Sequence, residues 1–133
     1  MPSEPLWLTP DDLEAINRRE VEETGETHFT RDRGLLESAA AKPINRWLYG
    51  DTNVVRLAVA LLHGIAQNHC FEQGNKRTAA TAALLFLDFN GYEWVAEDDE
   101  DLGHWIVALI EGRIGEDELA DLMSDHLQPI KPT

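Results

Sequence analysis

"NHCFEQGNKRTAATAALLFLDFNGY", residues 68–92, is the stretch on which the reading of this sequence turns. A polar loop carrying His69, Gly74, Asn75, Lys76 and Arg77 opens directly into an apolar helical run that ends at Asn90-Gly91. The first N–H groups of a helix lack internal partners, and with the helix dipole they form an anion site. Gly74 lets a bulky anion approach the backbone. Lys76 and Arg77 add positive charge, Arg as a two-pronged grip on phosphate and Lys as a point charge. Asn75 caps the helix or orients a ligand. His69 stands at the other end of the loop, and an imidazole suits general-base work near neutral pH. A base facing a phosphate cradle is the layout for moving a phosphoryl or nucleotidyl group onto a hydroxyl. Phe71, apolar within the loop, would anchor it in the core. The same residues also fit a plain N-cap, two solvated cations and a surface histidine.

Other motifs fail at this place. A nucleotide-binding Walker loop needs glycine where His69 stands. One cysteine and scattered histidines match no zinc spacing. Cys70 adjoins His69, but neighbouring residues rarely point at each other, so a thiol–imidazole pair is disfavoured.

Outward from the loop, the helical pattern continues in both directions. Residues 52–67 hold Val54, Val55, Leu57, Ala58, Ala60, Leu61, Leu62, Ile65 and Ala66, apolar nearly all round, which predicts a buried helix. Residues 75–89 are similar, with small alanines that permit close helix approach. Thr9 as N-cap and Pro10 at the first position start a helix that stops at Gly25. A short helix over 33–41 is expected to end at Pro43. Residues 91–95 suggest an extended piece. The acidic run 97–101 leads into Leu102, Trp105, Ile106, Leu109 and Ile110 at helical spacing. A last helix from Glu116 places Leu119, Leu122, Met123 and Leu127 on one face, and 128–133 reads as a loose tail. Together these predict an all-α single domain over residues 1–133, with two buried central helices wrapped by amphipathic ones.

Composition narrows the function classes. The formal net charge is −14, which opposes direct nucleic-acid binding and favours basic partners. Apolar runs are too short to span a bilayer. No leader-like segment is seen, and a single cysteine excludes an internal disulfide, so a cytoplasmic, non-membrane protein is expected. His63 reads as a satisfied core residue, His104 and His126 as structural groups on amphipathic helices, His28 as a loop residue, and the tryptophans as packing.

"HCFEQGNKR", residues 69–77, resembles the signature loop of the Fic/Doc superfamily, of general form His-x-Phe-x-Asp/Glu-Gly/Ala-Asn-Gly/Lys-Arg. The flanking stretches "LTPDDLEAIN", "RDRGLLESAAAKP" and "ALLHGIAQNH" extend the likeness to the Doc (death-on-curing) branch over nearly the whole chain. The resemblance implies a compact helical bundle with the loop between two central helices. It implies a toxin of a toxin–antitoxin pair with a Phd-like antitoxin. Its activity would be transfer of the γ-phosphate of ATP to a threonine of elongation factor Tu or another translation protein. Lys76 stands where AMP-transferring relatives carry Gly, and Ala80 where they carry a second Arg, which sides with phosphoryl transfer. By resemblance His69 is the general base; Gly74, Asn75, Lys76 and Arg77 hold phosphates, Lys76 and Arg77 serving catalysis too; Phe71 anchors the loop. Lys42 to Trp47 would correspond to the flap that positions the target.

Gln73 departs from the pattern, since the family carries an acid there to hold Mg²⁺. A neutral amide is a poor ligand for a hard cation. Three readings stay open: Mg²⁺ held mostly by phosphates and water, Glu72 standing in after a loop shift, or catalysis lost or changed. An AMP transferase and a catalytically weakened nucleotide- or protein-binding module are the alternatives to the kinase-like enzyme.

Overall fold

The computed structural model describes residues 3–96 and 100–131. Six helices and one two-stranded ribbon occur among them: α1 (Pro10–Glu23), α2 (Arg33–Leu48), α3 (Val54–Asn68), α4 (Asn75–Phe89), β1 (Tyr92–Trp94), α5 (Glu100–Ile110), α6 (Glu116–Ser124) and β2 (Leu127–Pro129). The all-α expectation holds. Of the acidic run 97–101, residues 97–99 lie outside the described residues.

The helix starts follow their local chemistry. Thr9 and Asp12 close a capping box on α1, with Asp12 N–H donating to Thr9 Oγ1 (3.1 Å) and Thr9 N–H to the Asp12 carboxylate (2.8 Å). Asp32 and Asn53 cap α2 and α3 with a single bond each, their side chains accepting from Leu35 N–H and Arg56 N–H. Helix α3 is the centre of the molecule, packed between α2 and α4 and touched by α5 and α6. Its Leu57, Leu61, Leu62 and Ile65 are fully enclosed. Burial of each such side chain contributes about 1.5–3 kcal/mol. At Gly64 a Cβ would stand 3.2 Å from the Ala39 Cα, so this glycine lets α2 lie directly against α3. Helix α4 buries one broad face, from Thr78 to Leu87, while Phe89 is half exposed.

Three expectations are corrected. Helix α2 does not end at Pro43; it runs through the proline to Leu48. An interior proline costs a helix about 3 kcal/mol. Here Pro43 is itself buried, and the turn beyond it is held by Trp47, packed edge-on against Trp7 at 6.3 Å. Lys42 before the proline and Arg46 after it are both tied to Glu116, each at 3.0 Å. Nor is the C-terminal segment loose up to its end. Residues 127–129 pair antiparallel with β1, and Ile130 N–H donates to the Gly91 carbonyl (2.9 Å). Leu127 therefore belongs to β2 and not to the face of α6, and His126 lies between the two, against Trp94 and Trp105. Among the described residues no helix is long and apolar enough to cross a membrane.

Candidate active site

His69 is the C-cap of α3, with φ 50° and ψ 49°, and among the described residues it is the only non-glycine at positive φ. That left-handed conformation is costly for a residue with a Cβ, and it turns the chain sharply out of α3. Phe71 follows and is fully buried, as an anchor should be. Asn75 does not cap α4. Its amide closes the loop instead: Oδ1 accepts from Phe71 N–H (3.0 Å) and Nδ2 donates to the Phe71 carbonyl (2.8 Å). The N-cap of α4 is Gly74, at φ 74°, and no side chain caps that helix end. A Cβ at Gly74 would lie 3.0 Å from Val21 Cγ1, so the turn demands glycine for conformation and for space.

An open cavity of about 390 Å³ is lined by Ala66, His69, Gly74, Asn75, Lys76 and Arg77. The sequence-predicted base, the uncapped helix start and both cations are thus brought together. Lys76 is exposed and forms no ion pair among the described residues. Arg77 is engaged. Its Nη2 meets Glu26 Oε1 at 2.5 Å, and its Nη1 donates to Thr24 Oγ1 (2.9 Å) and toward the Glu20 carbonyl (3.4 Å). Hydrogen bonds from Thr24 and Arg77 hold the Glu26 carboxyl below its usual range. A second cavity, of about 320 Å³ and mainly apolar, shares Lys76 and Arg77 and continues along Ala80, Leu84, Leu102 and Ile106 between α4 and α5.

The connection between α1 and α2 supports the loop from outside. Thr30 and Phe71 form an antiparallel bridge; Arg31 N–H donates to the Cys70 carbonyl (2.8 Å), and Glu72 N–H to the Phe29 carbonyl (3.0 Å). Residues 29–32 therefore lie beside the loop, whereas Lys42 to Trp47 belong to α2. His28 is in this connection, and its Nδ1 stands 2.7 Å from Oδ1 of the buried Asn17. Burial, then Arg18, lowers the pKa of His28 below its usual value.

The residues lining the His69 cavity do not fit a protein-held Mg²⁺. Such an ion takes at least one carboxylate beside substrate phosphates and water. The cavity with His69 has none in its lining, and Gln73 and Glu72 are exposed on another hollow, with residues 25–29. Among the described residues no group of three or more His, Cys, Asp or Glu could hold a metal ion. Cys70 is enclosed, and burial raises its thiol to about 11, which removes it as a nucleophile. His63 is not in the core proper; its Nδ1 meets Glu116 at 2.6 Å in a part-exposed ionic cluster. Asn17, Glu26 and His28 escaped the sequence reading. Asn17 carried a signal, since it stands midway between Leu13 and Val21 on the buried stripe of α1.

The description "Fic/DOC family" belongs to the family model that matches residues 7–87. The chain belongs to the Fic/Doc family. Toxin Doc of Mycolicibacterium smegmatis is 41% identical over 96 residues, covering 66% of this chain and 73% of that protein. Protein kinase doc of Escherichia phage P1 is 28% identical over 117 residues, 87% of this chain and 91% of its own. Both likenesses place the chain in the Doc branch, and the six helices and small ribbon among the described residues agree with the Fic/Doc fold.

Proposed function

We propose that this Doc-like chain is a toxin that transfers the γ-phosphate of ATP to a protein hydroxyl. A threonine of elongation factor Tu is the expected acceptor, and a Phd-like antitoxin the neutralising partner. The observation that carries the reading is one cavity in which His69 faces the uncapped start of α4 beside Lys76. His69 takes the proton of the acceptor hydroxyl. The freed oxygen attacks the γ-phosphorus, the bond to the β,γ-bridging oxygen breaks, and ADP leaves with the electron pair. Backbone N–H groups at the head of α4 and the Lys76 ammonium meet the charge on the phosphoryl oxygens.

The neighbouring apolar cavity has room for a nucleoside, and it shares Lys76 with the cradle. Ala80 lines it, and a long side chain at that place would occupy it. This supports a donor lying with its last phosphate at His69 and its base toward α5. Arg77 joins the phosphates only after parting from Glu26. A second reading, a nucleotide-binding module without turnover, is favoured by the lack of a carboxylate beside His69.

Label on the γ-phosphate of ATP, incubated with purified elongation factor Tu, tests the proposal. Transfer that vanishes in His69→Ala supports it. Binding of ATP without transfer to any protein of a lysate would favour the module, and transfer of an α-phosphate label would mean nucleotidyl chemistry.

A further inference from the structure

We propose that Asn17, on α1, is a positioning residue that fixes the phosphate cradle by holding both its ends. Asn17 and Thr78 are the two fully buried polar residues among those described. A buried amide is costly unless its hydrogen bonds are met. Those of Asn17 are met by groups that matter to the site. Nδ2 donates to the Gln73 carbonyl (2.8 Å) and to Thr78 Oγ1 (3.0 Å). A peptide carbonyl only accepts, so the amide orientation follows from chemistry, and Oδ1 must be an acceptor. His28 therefore carries a proton on Nδ1 and donates it to Asn17 across 2.7 Å.

The two acceptors bracket Gly74 to Arg77. Gln73 immediately precedes the left-handed Gly74, and Thr78 is where the helix ladder begins, its N–H donating to the Gly74 carbonyl (2.8 Å). One side chain thus holds the residue before the cradle and the residue after it. It also lies under the turn itself: Nδ2 is 3.3 Å from where a Gly74 Cβ would be. Helix α1 could have been packed here by an apolar residue of the same size. Leu13 and Val21, one turn to either side, do that, and neither forms a side-chain hydrogen bond to the loop. What an apolar residue cannot do is fix the carbonyl that sets where α4 begins.

The role in nucleotide binding rests on the function proposed above; the role in ordering the loop does not. The experiment reads both, on the full chain, in Asn17→Ala and in the same-shaped Asn17→Asp, which cannot donate to the Gln73 carbonyl. Hydrogen exchange of the Thr78 N–H, the first of α4 to be bonded, should speed by about tenfold in both variants, the scale of one or two lost hydrogen bonds, with the core of α3 unchanged. ATP affinity, by calorimetry, should weaken by about tenfold. Exchange that is unchanged at Thr78, or that rises equally through α1, α3 and α4, overturns the proposal, as does failure of both variants to fold. A wild-type chain that binds no ATP would sink the functional reading, while the exchange result would still decide the role of Asn17.

Discussion

Two histidines, one on α3 and one at its C-cap, stand in opposite surroundings. Around His63 every charge is answered: Glu116 receives His63 at 2.6 Å and Lys42 and Arg46 at 3.0 Å each. Around His69, two turns further on, the helix end of α4 is uncapped, Lys76 is unpaired among the described residues, and the backbone is held left-handed. Both regions gather similar residue types between helices. The closed one joins α2, α3 and α6, and its charges pair within the chain, Glu116 Oε1 meeting Arg46 as an ion pair without a hydrogen bond. The open one keeps donors and a base exposed to solvent at a cost in local strain, which is how a site differs from a clasp. Arg77 stands between the two conditions, facing the cradle but paired with Glu26.

The largest expected effect is at the open region. His69→Ala should lower phosphoryl transfer by about 10²–10⁴-fold, the range for loss of a general base, while leaving stability nearly unchanged. His69→Gly should lose activity equally, yet be more stable than the alanine variant by about 1 kcal/mol, because glycine accepts the left-handed conformation. Label transfer and chemical denaturation measure the two. If both variants keep activity, the open region is not catalytic and the contrast with His63 fails.

At the closed region the effects should reverse. Glu116→Gln should cost about 2–3 kcal/mol of stability, since Lys42, Arg46 and His63 would face one another without their carboxylate, and leave transfer rates alone. Its hydrogen bond with His63, and then Lys42, holds the Glu116 carboxyl far below the ordinary glutamate value of about 4.5, although burial opposes this. A depressed folded-state value means that the unfolded chain binds the proton more readily. The cluster's contribution is therefore complete above pH 4.5 and is lost as the pH falls toward the folded value. Thermal melts from pH 7 to 3 should show that loss in the wild type and less of it in Glu116→Gln. Equal slopes would mean that the carboxyl is not what closes the cluster.

Much of this contrast was legible in the residues themselves. The motif from His69 to Arg77, the cap at Thr9 and the all-round apolar pattern of α3 are local features, and local features survive folding. What the sequence concealed depends on distant partners. Pro43 reads as a stop because the rule against it is local, while Trp7 and Glu116, which carry α2 past it, are remote in the chain. The strand at 127–129 is too short to announce itself without Tyr92–Trp94 beside it. Asn75 looked like a cap, but Gly74 took that position when the Asn75 amide closed on Phe71. Glu26 and His28 gave no local sign at all, since each acts on a residue more than ten positions away.

Gln73→Asp probes how the open region meets phosphate charge. The position is exposed, and Asn17 holds its backbone carbonyl and not its side chain, so the fold should tolerate the change within about 0.5 kcal/mol. The new carboxylate would supply the hard ligand that the loop lacks once its side chain turns from the hollow it shares with residues 25–29 toward His69. Transfer in the presence of Mg²⁺ should then rise by about tenfold, equal to one strong charged interaction in the transition state. ATP affinity should become sensitive to Mg²⁺ in the variant more than in the wild type. A rise confined to Mg²⁺ would show the native cradle to be open but short of one charge. Equal activity with and without the acid would show that the helix start and Lys76 meet the phosphate charge unaided, and the open region would then be as complete for its ligand as the His63 cluster is for itself.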